Sequence, residues 1–307
     1  MTAGPSETIH VAEEVAAALR DGRPVLAMES TIFTHGLPRP RNVEVALGAE
    51  ALARERDVVP ATIAVLDGVP HVGLTAEQIE RLGGDDAVYK ASVRDLALVA
   101  ASGRNAGTTV AATALLAHRA GVGVFSTGGL GGVHRGAGVT FDESADLPTL
   151  AVTPIVVISA GVKSILDIGL TLERMETLNL PVVGYRTDRF PGFYVADSGF
   201  PLDHRADDVA TIAESRRRMD ALGLAAALVV ANPVPAARQL DPAVHERALA
   251  EALAAAGAAG VSGKATTPFL LDHIQQATHG ASLDVNIAAY LNNVELGCAI
   301  AAALAAP

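Results

Sequence analysis

Cysteine is nearly missing from this sequence. The single residue, Cys298, excludes an intrachain disulfide framework and any metal site built from several thiolates, and it makes the cytoplasm the expected compartment. Tryptophan is absent and aromatics make up 4% of residues, so a core with 50% hydrophobic residues to draw on must come from aliphatic strands and alanine-rich helices. Cations are scarce: 23 Lys and Arg against 34 Asp and Glu give a net charge of −11. That balance argues against a nucleic-acid groove, although a local basic pocket can still take a small anion. Membrane insertion is not expected. Met1 to Val11 lacks the apolar core of a signal peptide, the run Ala248 to Ala259 is interrupted by Glu251, and no uninterrupted apolar stretch reaches spanning length. Several motifs are also missing. Gly129-Leu-Gly131-Gly-Val-His134 lacks the last glycine of a dinucleotide fingerprint, Ser262-Gly-Lys-Ala265 is no Walker loop, and neither His-Glu-x-x-His nor Gly-x-Ser-x-Gly occurs.

What is present centres on Gly128-Gly-Leu-Gly-Gly-Val-His-Arg-Gly-Ala-Gly-Val-Thr-Phe-Asp-Glu-Ser-Ala-Asp146, directly after the apolar run Val122 to Thr127. Strand, glycine turn and polar cluster follow in that order. Glycine admits unusual dihedrals and close ligand approach, and exposed amides can face an anion. His134 and Arg135 add charge. Asp142 and Asp146 share a side whether the segment is extended or helical, a pairing able to hold a divalent ion or to raise one acid's pKa. A glycine-rich connector with solvated acids is the plainer alternative.

Along the chain, helical spacing over Glu7 to Arg20 precedes a strand Pro24 to Met28 that ends in Glu29-Ser-Thr31. A carboxylate at a strand's end is well placed for chemistry, or simply caps the loop that contains His35. Helix Asn42 to Arg56, strand Pro60 to Leu66, a hairpin return Val69 to Val72 and a threonine-capped helix Thr75 to Leu82 follow. Lys90 lies in the strand candidate Asp86 to Ser92 and must face solvent or an anion. Gly103 to Thr109 caps a helix Val110 to Arg119 and offers amides to a negative group. Strand Pro154 to Ser159 leads to Lys163, at the start of an expected helix Ser164 to Leu178. There the helix terminus and apolar neighbours favour an uncharged, nucleophilic amine, with a solvent-facing lysine as the alternative. Strand Pro181 to Tyr185, a loop Thr187 to Pro201 with a short strand Gly192 to Ala196, helix Ala206 to Leu222, strand Ala226 to Pro233 and a helix started by Asp241-Pro242 come next. A helix Phe269 to Ala277 and a last helix from Ser282, carrying Asn286, close the chain; Asn286 suits a polar site or an interface. The alternation predicts a three-layer α/β/α fold around a largely parallel or mixed sheet, one domain over residues 1–307 with a flexible extreme N-terminus.

In their order, Met28-Glu-Ser-Thr31, Pro60-Ala-Thr-Ile63, Lys90 with Arg94-Asp95, Asn105-Ala-Gly-Thr-Thr-Val110, Ser126 to Gly136, Phe141-Asp142, Ser144-Ala-Asp-Leu147, Ala160-Gly-Val-Lys-Ser-Ile-Leu-Asp167, Val230-Ala-Asn-Pro233, Gly263-Lys264 with Thr267-Pro-Phe-Leu-Leu271 and Asn286-Ile287 resemble the pseudouridine-5'-phosphate glycosidases. The resemblance implies reversible cleavage of the C–C glycosidic bond of pseudouridine 5'-phosphate to uracil and ribose 5-phosphate. It also implies a homotrimer with one divalent ion, usually Mn2+, per subunit. On matching positions Glu29 is the proton donor, Lys163 the covalent nucleophile and Asp142 the metal ligand. Lys90, Val110, Ser144 and Asp146 are substrate contacts, and Asn286 is a polar site residue. His134 is added as a phosphate contact. A separate pseudouridine kinase is expected to supply the substrate. Val93 stands where relatives carry a further arginine, which alters the expected anion contacts.

A carbon-linked uracil leaves poorly, so the sugar must supply another electron path, through ring opening and a lysine imine. Two alternatives stay open: an inverting N-glycosidase using Glu29 and Asp146 without covalent Lys163, and a sugar-phosphate-binding module without turnover.

Overall fold

The computed structural model describes residues Thr8–Val261 and Thr266–Ala306. The extreme N-terminus, for which flexibility is expected, and the Gly263-Lys264 block lie outside the described residues.

Among the described residues, eleven strands form one sheet: β1 (His10–Val11), β2 (Val25–Glu29), β3 (Val59–Leu66), β4 (Val69–Val72), β5 (Tyr89–Ala91), β6 (Ala106–Thr108), β7 (Val124–Ser126), β8 (Val156–Ser159), β9 (Val182–Tyr185), β10 (Arg205–Ala206) and β11 (Leu228–Ala231). Their order is β1-β4-β3-β2-β7-β8-β11-β9-β10, with β6 beside β3 and β5 beside β6. Pairing is parallel except where β3 meets β4 and β6. Strands β2, β3, β7, β8 and β11 are buried along their whole length. That explains why they read as unbroken apolar runs: a parallel sheet covered on both faces has no wet side to demand alternation.

Twelve helices surround it: α1 (Glu13–Arg20), α2 (Arg41–Glu55), α3 (Ala76–Gly84), α4 (Leu96–Ala101), α5 (Val110–Arg119), α6 (Ala137–Thr140), α7 (Asp146–Leu150), α8 (Ile168–Thr177), α9 (Val209–Ala221), α10 (Pro242–Ala258), α11 (Thr266–Ala277) and α12 (Ala281–Ala305), again among the described residues. The side chains of Thr75, Thr109, Asp167, Asp208 and Asp241 accept backbone N–H groups at the starts of α3, α5, α8, α9 and α10. Helix α12 packs on β2, β7 and β8 and touches α2 and α9, while α5 packs on β2 and β3. Helices on both faces of a mostly parallel sheet make the expected three-layer α/β/α fold.

Four expectations change. Helix α12 has the length and composition to cross a membrane, with mean hydropathy 1.4, yet 56% of that window is buried inside the protein, as in a core helix. Gly192 to Ala196 is not a strand: Phe193 has φ of 67°, in the left-handed region, and the short strand falls instead at Arg205–Ala206. The first helix begins at Glu13, because His10–Val11 pairs in parallel with His71–Val72. Lys163 is not at a helix start. Residues 163–166 form a turn closed by Leu166 N–H to the Lys163 carbonyl at 2.9 Å, and α8 begins at Ile168, where the Asp167 carboxylate accepts Leu170 N–H at 3.0 Å.

Candidate active site

A cavity of about 530 Å³ is lined by Glu29, Lys90, Val110, His134, Asp142, Ser144, Asp146 and Lys163, with Thr31, Ser92, Arg94, Asp95 and Glu143 among its other walls. Glu29 closes β2, and Lys163 comes from the segment after β8. The parallel register pairs Met28 with Ser126, so the next residues, Glu29 and Thr127, leave the sheet side by side. Glu29 is 5% exposed, and its two carboxylate oxygens accept the Thr31 and Thr127 hydroxyls. A buried carboxylate is tolerable only with such donors.

Beyond β7 and β8 the two chains continue side by side. The Ala160 N–H donates to the Gly128 carbonyl, Leu130 N–H to the Gly161 carbonyl and Lys163 N–H to the Leu130 carbonyl, each at 3.0 Å. The glycine loop is therefore a rigid parallel extension of the sheet that carries Lys163, half-buried, to the cavity wall. The helix-terminus argument for an uncharged Lys163 loses its footing, because the nearest helix starts five residues later.

Asp146 is 6% exposed and accepts Gly131 N–H at 2.8 Å and Ala111 N–H at 2.9 Å, one on each oxygen. The negative group facing the start of α5 is thus the protein's own carboxylate. Only glycine fits at position 131: a Cβ there would lie 2.2 Å from Ser144 Oγ and 2.7 Å from Asp146 Oδ2. Ser144 accepts the Asp146 N–H at 3.2 Å and donates its own N–H to the Gly132 carbonyl at 3.0 Å. Asp142 is more open, 43% exposed at the side chain, with His134 Nδ1 3.9 Å from its carboxylate. Lys90 and Arg94 bring positive charge, the latter 3.9 Å from Asp95.

Among the described residues, no three His, Cys, Asp or Glu side chains gather as a metal cage. Asp142 and Asp146, paired in the sequence as possible joint ligands, both line the cavity, with each Asp146 oxygen accepting one backbone amide. Asp142, the more open of the two, could hold an ion that keeps most of its waters.

Asn286 does not line the cavity. It is half-buried on α12, and its Oδ1 would lie 3.4 Å from a Cβ placed on Gly128, beside the root of the glycine loop. His35 also lies outside the lining. Sequence reasoning missed Thr31 and Thr127 as the grips on Glu29. Both sit in the quoted blocks; Thr31 is two residues beyond Glu29, whereas finding the role of Thr127 requires the β2–β7 register.

The family model described as indigoidine synthase A like protein matches residues 14–303. The chain belongs to this family. It is 62% identical over 298 residues to a pseudouridine-5'-phosphate glycosidase of Saccharopolyspora erythraea, covering 96% of this chain and 97% of that one. A protein of the same name from Frankia alni is 57% identical over 304 residues, covering 99% and 84%. These relatives bear out the resemblance read from the motifs. Among solved structures, the prealnumycin C-glycosynthase AlnA in complex with ribulose 5-phosphate superposes with a TM-score of 0.91 at 36% identity, covering 98% of each chain. An indigoidine synthase A-like protein from Thermotoga maritima gives 0.88 at 36% identity and 97% coverage of each.

Proposed function

We propose that this protein is an enzyme that reversibly cleaves the C–C glycosidic bond of pseudouridine 5'-phosphate, giving uracil and ribose 5-phosphate. The observation that carries the reading is the meeting of Glu29 and Lys163 in one cavity, each on a backbone frame shared by adjacent strands. The names of the 62% and 57% identical relatives support the substrate, and the sugar phosphate held by the structural relative supports its class.

Glu29 delivers a proton to the ribose ring oxygen as the bond from that oxygen to C1 breaks. The Lys163 amine forms the C1–N bond and gives up a proton. Uracil C5 then takes a proton while the C1–C5 bond breaks, its electron pair staying with uracil, and C1 is left as an imine of Lys163. Water adds to the imine, the C–N bond breaks, and ribose 5-phosphate departs with the amine restored. Lys90, Arg94 and His134 supply the positive charge for the phosphate, with Ser144 and the backbone near Val110 as further contacts. Asp142 would hold Mn2+ or another divalent ion, whose chemistry there is to order water. We further assign a homotrimer and a separate kinase that makes the substrate.

An inverting N-glycosidase with Glu29 and Asp146 fits less well, because both Asp146 oxygens are tied to backbone amides that frame the glycine loop. The test is borohydride reduction during turnover of pseudouridine 5'-phosphate, followed by peptide mass spectrometry. A ribose 5-phosphate adduct on Lys163, and loss of uracil release in Lys163→Ala, are expected. Near-parental uracil release by Lys163→Ala ends the covalent reading.

A further inference from the structure

Helix α12 buries an asparagine completely: Asn293 is 0% exposed. Its Nδ2 donates to the Thr127 carbonyl at 2.8 Å and the Gly128 carbonyl at 3.3 Å, and its Oδ1 accepts Asn232 Nδ2 at 2.9 Å. Its own backbone carbonyl accepts the Ser126 hydroxyl at 2.8 Å. One residue of α12 therefore clasps three consecutive residues at the exit of β7. Through Asn232 it also reaches the exit of β11. Since β8 lies between β7 and β11, Asn293 joins the two strands that flank the one leading to Lys163.

A buried amide is costly in an apolar helix face unless each polar atom is matched, and here each is. The atoms it holds are those on which both reacting side chains depend. Thr127 donates its hydroxyl to Glu29, and the Gly128 carbonyl accepts Ala160 N–H at 3.0 Å, the first rung of the ladder that ends at Lys163. Asn232 and the two β7 carbonyls impose the same orientation on the amide. Its donated N–H requires an oxygen facing β11, which leaves the NH2 facing the β7 carbonyls.

We propose that Asn293, braced by Asn232, is a positioning residue for this active site, setting Thr127 against Glu29 and the glycine-loop ladder beneath Lys163. The proposal rests on the reading of Glu29 as the proton donor. Asn293→Asp keeps the shape but removes the N–H donors and turns an oxygen toward two carbonyls. Asn232→Ala leaves Asn293 and its targets in place but removes the donor to Asn293 Oδ1, so the amide loses its brace toward β11 while its NH2 still faces the two β7 carbonyls.

The experiment measures kcat and KM for pseudouridine 5'-phosphate against pH, with thermal midpoints, in the full-length parent, Asn293→Asp, Asn232→Ala and Glu29→Gln. Asn293→Asp should lower kcat by roughly tenfold to a hundredfold with KM changed by less than about threefold, and Asn232→Ala should lower kcat by roughly threefold to tenfold. Both should move the limb of the pH profile that Glu29→Gln removes. Lower midpoints with parental kcat and an unmoved pH profile in both would mean a merely structural amide and overturn the proposal. If Asn293→Asp does not fold, Asn232→Ala decides alone. Full activity in Glu29→Gln removes the proton-donor reading and the proposal with it, whereas an inactive Glu29→Gln beside parental kcat in the asparagine variants removes the proposal only.

Discussion

Replacing Asp146 by asparagine should destabilise the protein before any substrate is added. The carboxylate is buried and each of its oxygens accepts a backbone N–H, from Ala111 at 2.9 Å and Gly131 at 2.8 Å. Asparagine keeps one acceptor and turns an NH2 toward the other amide, so one charge-assisted bond is lost and one buried donor is left unmatched. A hydrogen bond to a charged group contributes about 1.5–3 kcal/mol, and an orphaned buried donor costs about 1–3 kcal/mol. After relaxation a net loss of about 2–4 kcal/mol is expected, which at roughly 2–4 °C per kcal/mol lowers Tm by about 4–16 °C. Asp146→Ala, which orphans both amides, should fall further. Differential scanning calorimetry of the ligand-free protein is the right assay, because it separates this framing role from any contact with substrate. An Asn variant that melts within about 1 °C of the parent would refute the reasoning, since one lost charge-assisted bond and one orphaned buried amide cannot cost so little.

Burial holds the Glu50 carboxyl above its ordinary range, outweighing the Thr62 hydroxyl that donates to it at 2.6 Å and the attraction of Arg54. With the folded pKa raised, the stability tied to this group is fully present below the unfolded value and lost as pH rises through the folded one. Glu50→Gln, which keeps an acceptor for Thr62, should therefore raise Tm at about pH 8, with the gain vanishing toward about pH 4; a gain independent of pH would contradict this. Dialysis against a chelator should reduce uracil release and added Mn2+ should restore it in the parent but not in Asp142→Ala; full activity at verified zero metal would make the ion nonessential.

The strand order could not be read from the sequence, yet most elements could, because a covered parallel sheet writes itself as unbroken apolar runs such as Val59–Leu66 and caps announce helices such as α3 and α10. The site's membership was legible for another reason: the motif blocks place Glu29, Lys90, Asp142, Asp146 and Lys163 in order, and one cavity takes them all in. What failed was local. Ser164 followed by apolar residues looks like a helix start, but the hydrogen bonds to the glycine loop tie down Ala160 to Lys163, with Gly161 at φ of 87°, and the helix waits for Asp167's cap. Phe193 looked like strand and adopts left-handed backbone. The Thr127 grip on Glu29 was invisible, since it depends on which strand lies beside β2.

Two carboxylates of this cavity, Asp146 and Glu29, are held in physically different ways. Asp146 meets backbone N–H groups, which are fixed in place and can only donate. Glu29 meets two threonine hydroxyls, which rotate and can donate or accept. When Glu29 is ionised both hydroxyls point at it; when it carries a proton, one hydroxyl can turn to receive that hydrogen without any backbone movement. A group that must pass a proton needs surroundings indifferent to whether it holds one, and Glu29 sits between two such partners. The acid bound by fixed amides is thereby suited to shaping the loop, and the acid bound by rotors to moving a proton.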